Sequence, residues 1–391
     1  MTYNFDEVID RSGTSAVKIE GMMRDWGRMD MIPLWVADMD FATPPFIRAA
    51  ISKRLEHPIL GYTMKPAGYY QAIIGWMKRR YGMDISRENL NYVPGIVPGL
   101  GMGIHCFTRP GEKVMIMQPV YHPFAWLITR NGRTLVNCPL KLIEGNYRID
   151  LDLMRKEIEG VKVLMLCNPH NPGGVVWTRE ELEAVAEICE EHHVLVFSDE
   201  IHADLTLPPH RHLPFASVSE KARDNSITFM APSKTFNMPG MSASHTIIFN
   251  EEIRKKFHAY LDAGELNEGH VLAFPAVEAA YNEGEEWLSQ CLSYIQGNID
   301  YIDNFLKTHA PRIKAMRPMA SFLVWLDCRE LQLGHDALND FFVSDAHLAL
   351  NDGEMFGVGG EGFMRLNVAS PRSVLEKAMA QLAEAYRKHS F

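Results

Sequence analysis

Short apolar runs that do not alternate with polar residues recur through the middle of the chain: Lys113–Met117, Thr134–Cys138, Val161–Cys167, Val194–Ser198, Ser226–Met230 and Ser244–Phe249. A strand solvated on one face would alternate, so these runs suit strands buried on both faces of a mainly parallel sheet. Helical spacing fills the gaps. Thr178-Arg179-Glu180-Glu181 is a capping-box signature that opens a helix to about His193. Upstream, helical patterns run from Phe46 to Leu55 and from Tyr69 to Arg80, the second ending near Gly82. Strand and helix in alternation predict an α/β protein with a three-layer α/β/α sandwich.

After about Phe274 the pattern changes. A long helical stretch from Glu285 to His309 is followed by Lys314–Arg317 and the apolar run Ser321–Leu326, a helical stretch from Ala337, a Gly-rich loop at Gly357–Gly362, a strand at Met364–Val368 and a last helix to Tyr386. This reads as a smaller α+β domain. The first forty residues read as irregular and end in P-L-W-V-A-D-M-D-F, too rich in aromatic and acidic residues for a free tail. The predicted division is an N-terminal arm, 1–45, packing with the small domain, a large domain, 46–284, and a small domain, 285–391.

Length and composition add bounds. A chain of 391 residues is long for one core, which agrees with two domains. A net charge of −10 argues against nucleic acid as partner, since that binding needs clustered Lys and Arg. No apolar run approaches the roughly 20 residues of a membrane span, and the acidic N-terminus does not read as a secretion signal. Six scattered cysteines without a C-x-x-C pair read as reduced, packed thiols, so the expected location is cytoplasmic.

In such a sheet ligands sit beyond the carboxyl ends of the strands. Asn171 follows the Val161 run, Asp199 follows the Val194 run and Lys234 follows the Ser226 run. Lys234 lies in A-P-S-K-T-F-N-M-P-G, between two hydroxyls and framed by Pro and Gly. A solvated lysine needs no such framing, whereas one that forms a Schiff base does. The Gly/Pro stretch N-Y-V-P-G-I-V-P-G-L-G-M-G-I is either an anion site at a helix N-terminus or a close-packing helix. It is neither a dinucleotide fingerprint, because Ile104 stands where the third glycine would fall, nor a P-loop. His202, His210 and His212 lack a helical metal-ligand motif and are interrupted by Pro208 and Pro209, so no metal is predicted.

A lysine, a carboxylate, an amide and the aromatic Tyr121 together are what pyridoxal phosphate requires. N-P-H-N-P-G-G, S-D-E-I-H and S-K-T-F-N, spaced 199 − 171 = 28 and 234 − 199 = 35, resemble fold-type-I pyridoxal-phosphate enzymes of the aspartate aminotransferase superfamily. W-V-A-D-M-D-F, Q-P-V-Y-H-P-F and D-E-I-H-A-D further resemble its cystathionine β-lyase (C–S lyase) branch, the MalY/PatB type. The likeness spans about Trp35 to Arg372.

The resemblance implies a seven-stranded sheet, a homodimer with the active site at the subunit interface, and pyridoxal 5′-phosphate held as a Schiff base on Lys234. It implies that Asp199 pairs with the pyridine nitrogen, Asn171 and His202 lie near the phenolic oxygen, and Tyr121 stacks on the ring. Ser233, the backbone at Val97 and Pro98, and Tyr62 from the neighbouring subunit would hold the phosphate. Arg365 would bind the substrate carboxylate, with backbone at Val36 and Ala37 completing that site and Tyr62 beside the substrate. Many superfamily members carry a basic residue eight positions after the lysine; here it is Ser242. The reaction this implies is β-elimination from L-cystathionine or a related thioether. The alternatives are an aminotransferase acting on an amino acid or histidinol phosphate, and a regulatory protein with a residual site.

Overall fold

The central sheet is built from strands β1 (Leu90–Val93), β2 (Lys113–Ile116), β3 (Thr134–Asn137), β4 (Val161–Cys167), β5 (Leu195–Asp199), β6 (Ser226–Met230) and β7 (Ser244–Ile247). The computed structural model describes residues 2–389 and 391. Spatial order is β1-β7-β6-β5-β4-β2-β3. All neighbouring pairs are parallel except those of β7, which runs antiparallel to both β6 and β1. The sheet is therefore mixed by one strand. Every residue of β5 and β6 is buried, as strands covered on both faces require.

Close approach of helix to sheet depends on glycine. In the Ile96–Phe107 helix, a Cβ at Gly103 would lie 2.7 Å from the Phe197 ring of β5. The helix Arg179–Glu191 begins with the expected reciprocal cap: Thr178 N donates to Glu181 Oε2 at 2.9 Å, and Glu181 N donates to Thr178 Oγ1 at 3.2 Å.

The second sheet has the order β8-β9-β11-β10 from β8 (Lys314–Met316), β9 (Leu323–Asp327), β10 (Asn351–Asp352) and β11 (Phe363–Asn367), all antiparallel. The Glu285–His309 and Arg372–Lys388 helices pack together beside it.

Two expectations need correction. The first forty residues are not irregular throughout: Val17–Trp26 is a helix closed by Gly27 in the left-handed region (φ 67°). Its buried face includes Lys18 and Gly21, so the apolar period that would reveal it is broken. Strand β1 was also hidden, being four residues that run straight into Pro94-Gly95. The arm itself is tied down. Ile32–Pro33 pairs in parallel with Leu348–Ala349, and Phe5 packs against Trp287 and Tyr294 of the long helix.

Candidate active site

Three neighbouring parallel strands of the central sheet, β4, β5 and β6, deliver functional groups at their carboxyl ends. Register places Cys167, the last residue of β4, beside Asp199, the last of β5, and Asp199 beside Phe229 of β6. Asn171 follows β4, and Lys234 follows β6 in the short Pro232–Thr235 helix. Together with Tyr121, His202 and Ser233 they line a cavity of about 210 Å³.

Lys234 Nζ donates to the Ala37 carbonyl at 2.6 Å, and no carboxylate forms an ion pair with it among the described residues. Burial pushes its amine down to about 8, with Arg365 adding to the fall and Asp38 and Asp199 opposing it. Asp199 moves the other way: burial raises it to about 7, against the Ile201 N–H that donates to Oδ1 at 3.1 Å. His202 is held neutral, its pKa pushed to about 3 by burial and then by the Lys234 and Arg365 charges, and its Nδ1 is buried without a partner. Burial also raises the Tyr121 phenol.

The helix N-terminus at Ile96 forms one wall. Gly99 N–H returns to the Gly95 carbonyl at 2.9 Å, leaving the first-turn N–H groups of Ile96 and Val97 without intrahelical acceptors. Pro98 lines the cavity but has no backbone N–H, so as an anion donor it is replaced by Ile96. Ser242 faces this wall in the left-handed region (φ 48°).

Arg365 comes from β11 and is buried. Its guanidinium donates to Asn171 Oδ1 at 3.1 Å, Asn351 Oδ1 at 2.5 Å and the Trp35 carbonyl at 3.1 Å, and it lies 4.9 Å over the Phe356 ring. Among the described residues no carboxylate pairs with it, its Nε has no partner, and burial lowers its pKa to about 10. An arginine left this way is a carboxylate receptor in waiting.

Not every sequence candidate joins the group. Tyr62 is fully exposed at 112% and lies outside the cavity, in a loop with exposed Ile59, Leu60 and Met64. The Val36 carbonyl is taken by Asn367 Nδ2 at 2.7 Å, while Ala37 lines the cavity. His212 is explained without metal: its Nε2 meets Glu200 Oε2 at 2.7 Å, and Glu200 Oε1 accepts from Ser198 and from Phe215 N–H. Asn351 and Phe356 around Arg365 were missed, because neither belongs to a recognisable motif. Asp204, in D-E-I-H-A-D, is a buried anchor that accepts from Trp76 Nε1 at 3.0 Å, Tyr81 and Thr235.

A buried amine and a strand-end carboxyl line one cavity, and an unneutralised arginine is tied to its wall through Asn171, an arrangement able to combine covalent amine chemistry with recognition of an anion. The aminotransferase class I and II family model matches residues 29–382, and the chain belongs to this family. It is 40% identical over 384 residues to cystathionine beta-lyase PatB of Bacillus subtilis (strain 168), covering 98% of this chain and 99% of that one. Among solved structures it is similar to a PLP-bound putative aminotransferase from Clostridium difficile 630 (TM-score 0.96, 39% identity, 98% of this chain and 100% of the other). It is also similar to the PLP-bound C–S lyase from Staphylococcus hominis (TM-score 0.91, 36% identity, 98% of each chain).

Proposed function

We propose that the chain is a pyridoxal-phosphate-dependent carbon–sulfur β-lyase that converts cystathionine or a related cysteine thioether, with water, into a thiol, pyruvate and ammonia. The observation that carries this reading is the pair of buried cations without carboxylate partners, Lys234 and Arg365, at the carboxyl edge of the sheet. The residues fit the cofactor. The orphaned Nδ1 of His202, the Asp199 carboxyl and the free N–H groups of Ile96 and Val97 supply partners for a phenolic oxygen, a pyridine nitrogen and a phosphate.

Pyridoxal phosphate, when bound, supplies an electron sink conjugated to the substrate nitrogen, which makes the Cα proton removable and lets a thiolate leave from Cβ. Lys234, with its amine near 8, is neutral often enough at working pH to take that proton. Asp199 would hold the ring nitrogen, and a charge pair there would offset the burial that raises its pKa. Tyr121 offers a ring face for stacking, and Ser233 a hydroxyl to the phosphate. Arg365, whose Nε has no partner, would take the substrate carboxylate while the Trp35 carbonyl keeps hold of the guanidinium.

Elimination is preferred because PatB and the Staphylococcus protein carry lyase names. Transamination is the second reading, favoured by the family description and by the Clostridium structure. A homodimer is supported by the exposed Ile59–Met64 segment, which would bring Tyr62 to a second copy's phosphate and substrate. Six free cysteines support a cytoplasmic setting. The start of the long helix at Glu285 supports the domain division at 284/285, and the Ile32–Pro33 pairing supports an arm over 1–45. The test is incubation of cofactor-loaded protein with L-cystathionine and no 2-oxo acid. Pyruvate release is expected; turnover only with an acceptor would make the chain an aminotransferase.

A further inference from the structure

Between Trp35 and Met39 five consecutive backbone carbonyls each accept a hydrogen bond from a side chain. Trp35 takes Arg365 at 3.1 Å, Val36 takes Asn367 at 2.7 Å, Ala37 takes Lys234 at 2.6 Å, Asp38 takes Asn367 at 2.7 Å, and Met39 takes Asn237 at 3.0 Å. The strap thus touches both cations of the site. The two asparagines belong to the same motifs as those cations, Asn237 three residues after Lys234 and Asn367 two after Arg365.

The outer side of the strap is gripped by charge. Lys18 is 0% exposed, and its ammonium donates to Asp40 Oδ2 at 2.8 Å and to the Asp38 carbonyl at 3.3 Å, with Asp38 Oδ1 at 3.7 Å. Arg11 Nη2 holds Asp38 Oδ2 at 2.7 Å, Ser370 Oγ donates to Asp40, and the Lys18 carbonyl accepts from Trp35 Nε1 at 2.9 Å. A lysine sealed from water and shared by two carboxylates flanking a segment fixes that segment's register more tightly than apolar packing, which has no direction.

We propose that Lys18 is a positioning residue for the site: by locking the Trp35–Met39 strap through Asp38 and Asp40, it sets where the carbonyls of Trp35 and Ala37 hold Arg365 and Lys234. Its effect on turnover rests on the proposed reaction, but its effect on the strap does not.

The test compares Lys18→Met, Lys18→Arg and Val185→Ala, the last a buried truncation remote from the strap. Hydrogen exchange over residues 34–41 is measured on the full chain without cofactor, and kcat and KM on the loaded enzyme. Lys18→Met is expected to speed exchange over 34–41 and to lower kcat/KM about 100-fold, the scale of a 1 Å misplacement. Lys18→Arg keeps the charge and is expected to recover most of both. Val185→Ala lowers the melting temperature but leaves the strap and KM as they were. Lys18→Met with wild-type exchange and KM, or with losses no larger than those of Val185→Ala, overturns the proposal. If Lys18→Met does not fold, Asp40→Asn takes its place, with faster exchange over 34–41 and a raised KM expected and no change in either overturning. If the wild type cleaves no thioether while exchange still answers to Lys18, the reaction falls and the positioning stands.

Discussion

Two buried lysines lie on opposite sides of one strap. Lys18 has two carboxylates for partners; Lys234 has one backbone carbonyl. A cation with full compensation adds rigidity, and one without is held for a ligand that will complete it. Arg365 belongs with Lys234: buried, hydrogen-bonded to amides, and unneutralised. The comparison predicts different losses on the two sides of the strap: function alone on the Lys234 and Arg365 side, and fold together with function on the Lys18 side.

The largest effect lies at Lys234. Lys234→Ala is expected to lower kcat at least about 10³-fold, the upper range for a positioned acid–base group, and to abolish the visible absorbance that develops on adding pyridoxal phosphate. A variant that still develops that absorbance removes Lys234 from the covalent role. Next comes Arg365→Met, with KM expected to rise about 100-fold while the cofactor is still bound. In denaturant, Arg365→Met should unfold no earlier than wild type, because it deletes an uncompensated charge. Lys18→Met, by contrast, should cost about 1.5–3 kcal/mol, the loss of one buried charge-assisted donor, since Arg11 and Ser370 still hold Asp38 and Asp40. If the two variants lose equal stability, the distinction between compensated and receptive cations is wrong for this molecule.

Acidity gives a subtler test on the cofactor-free chain. Asp199 is raised from 3.8 to about 7, so the folded state holds a proton that the unfolded state has lost across that window. Its contribution to stability is present below pH 3.8 and is lost as pH rises through 7. Lys234 is lowered from 10.5 to about 8, so its contribution is present above pH 10.5 and is lost as pH falls through 8. Denaturation midpoints of Asp199→Asn against wild type should converge on the acid side and separate between pH 4 and 7. Parallel curves would place Asp199 in a more solvated setting than the burial of β5 indicates.

Much of this was legible because short buried strands end where their chemistry begins. Asn171, Asp199 and Lys234 each stand within a few residues of the end of an apolar run, and the sheet brings those ends to one edge. The strap was only half legible. W-V-A-D-M-D-F stood out by composition, but its partner Lys18 lay in a stretch without apolar period, since the buried face of that helix carries a lysine and a glycine. Asn351 and Phe356 reach Arg365 only through the pairing of β10 with β11 and the turn beyond, which no local pattern records. Tyr62 is legible as an exposed aromatic, and in a single chain it stays fully exposed.

The smallest predicted effect concerns the phosphate wall. Ser242 stands where many relatives of the superfamily carry a cation, and it lines the cavity beside Ile96 and Val97. The charge of a phosphate there would be met by N–H dipoles and hydroxyls alone. Ser242→Arg adds a guanidinium to that wall, and a charge-assisted bond of this kind is stronger than a neutral one. The backbone at Ser242 already sits at φ 48° and its carbonyl accepts from Tyr92 Oη at 2.6 Å. Arginine therefore inherits an unfavourable conformation that serine also tolerates, and loses no backbone contact. The expected outcome is about three- to tenfold tighter cofactor binding, the balance of a gained charge-assisted bond of roughly 1.5–3 kcal/mol against the ordering of a long side chain. Equilibrium titration of the cofactor-free protein by absorbance measures it. Weaker binding would mean that the phosphate is seated on the helix amides too closely for a side chain to enter.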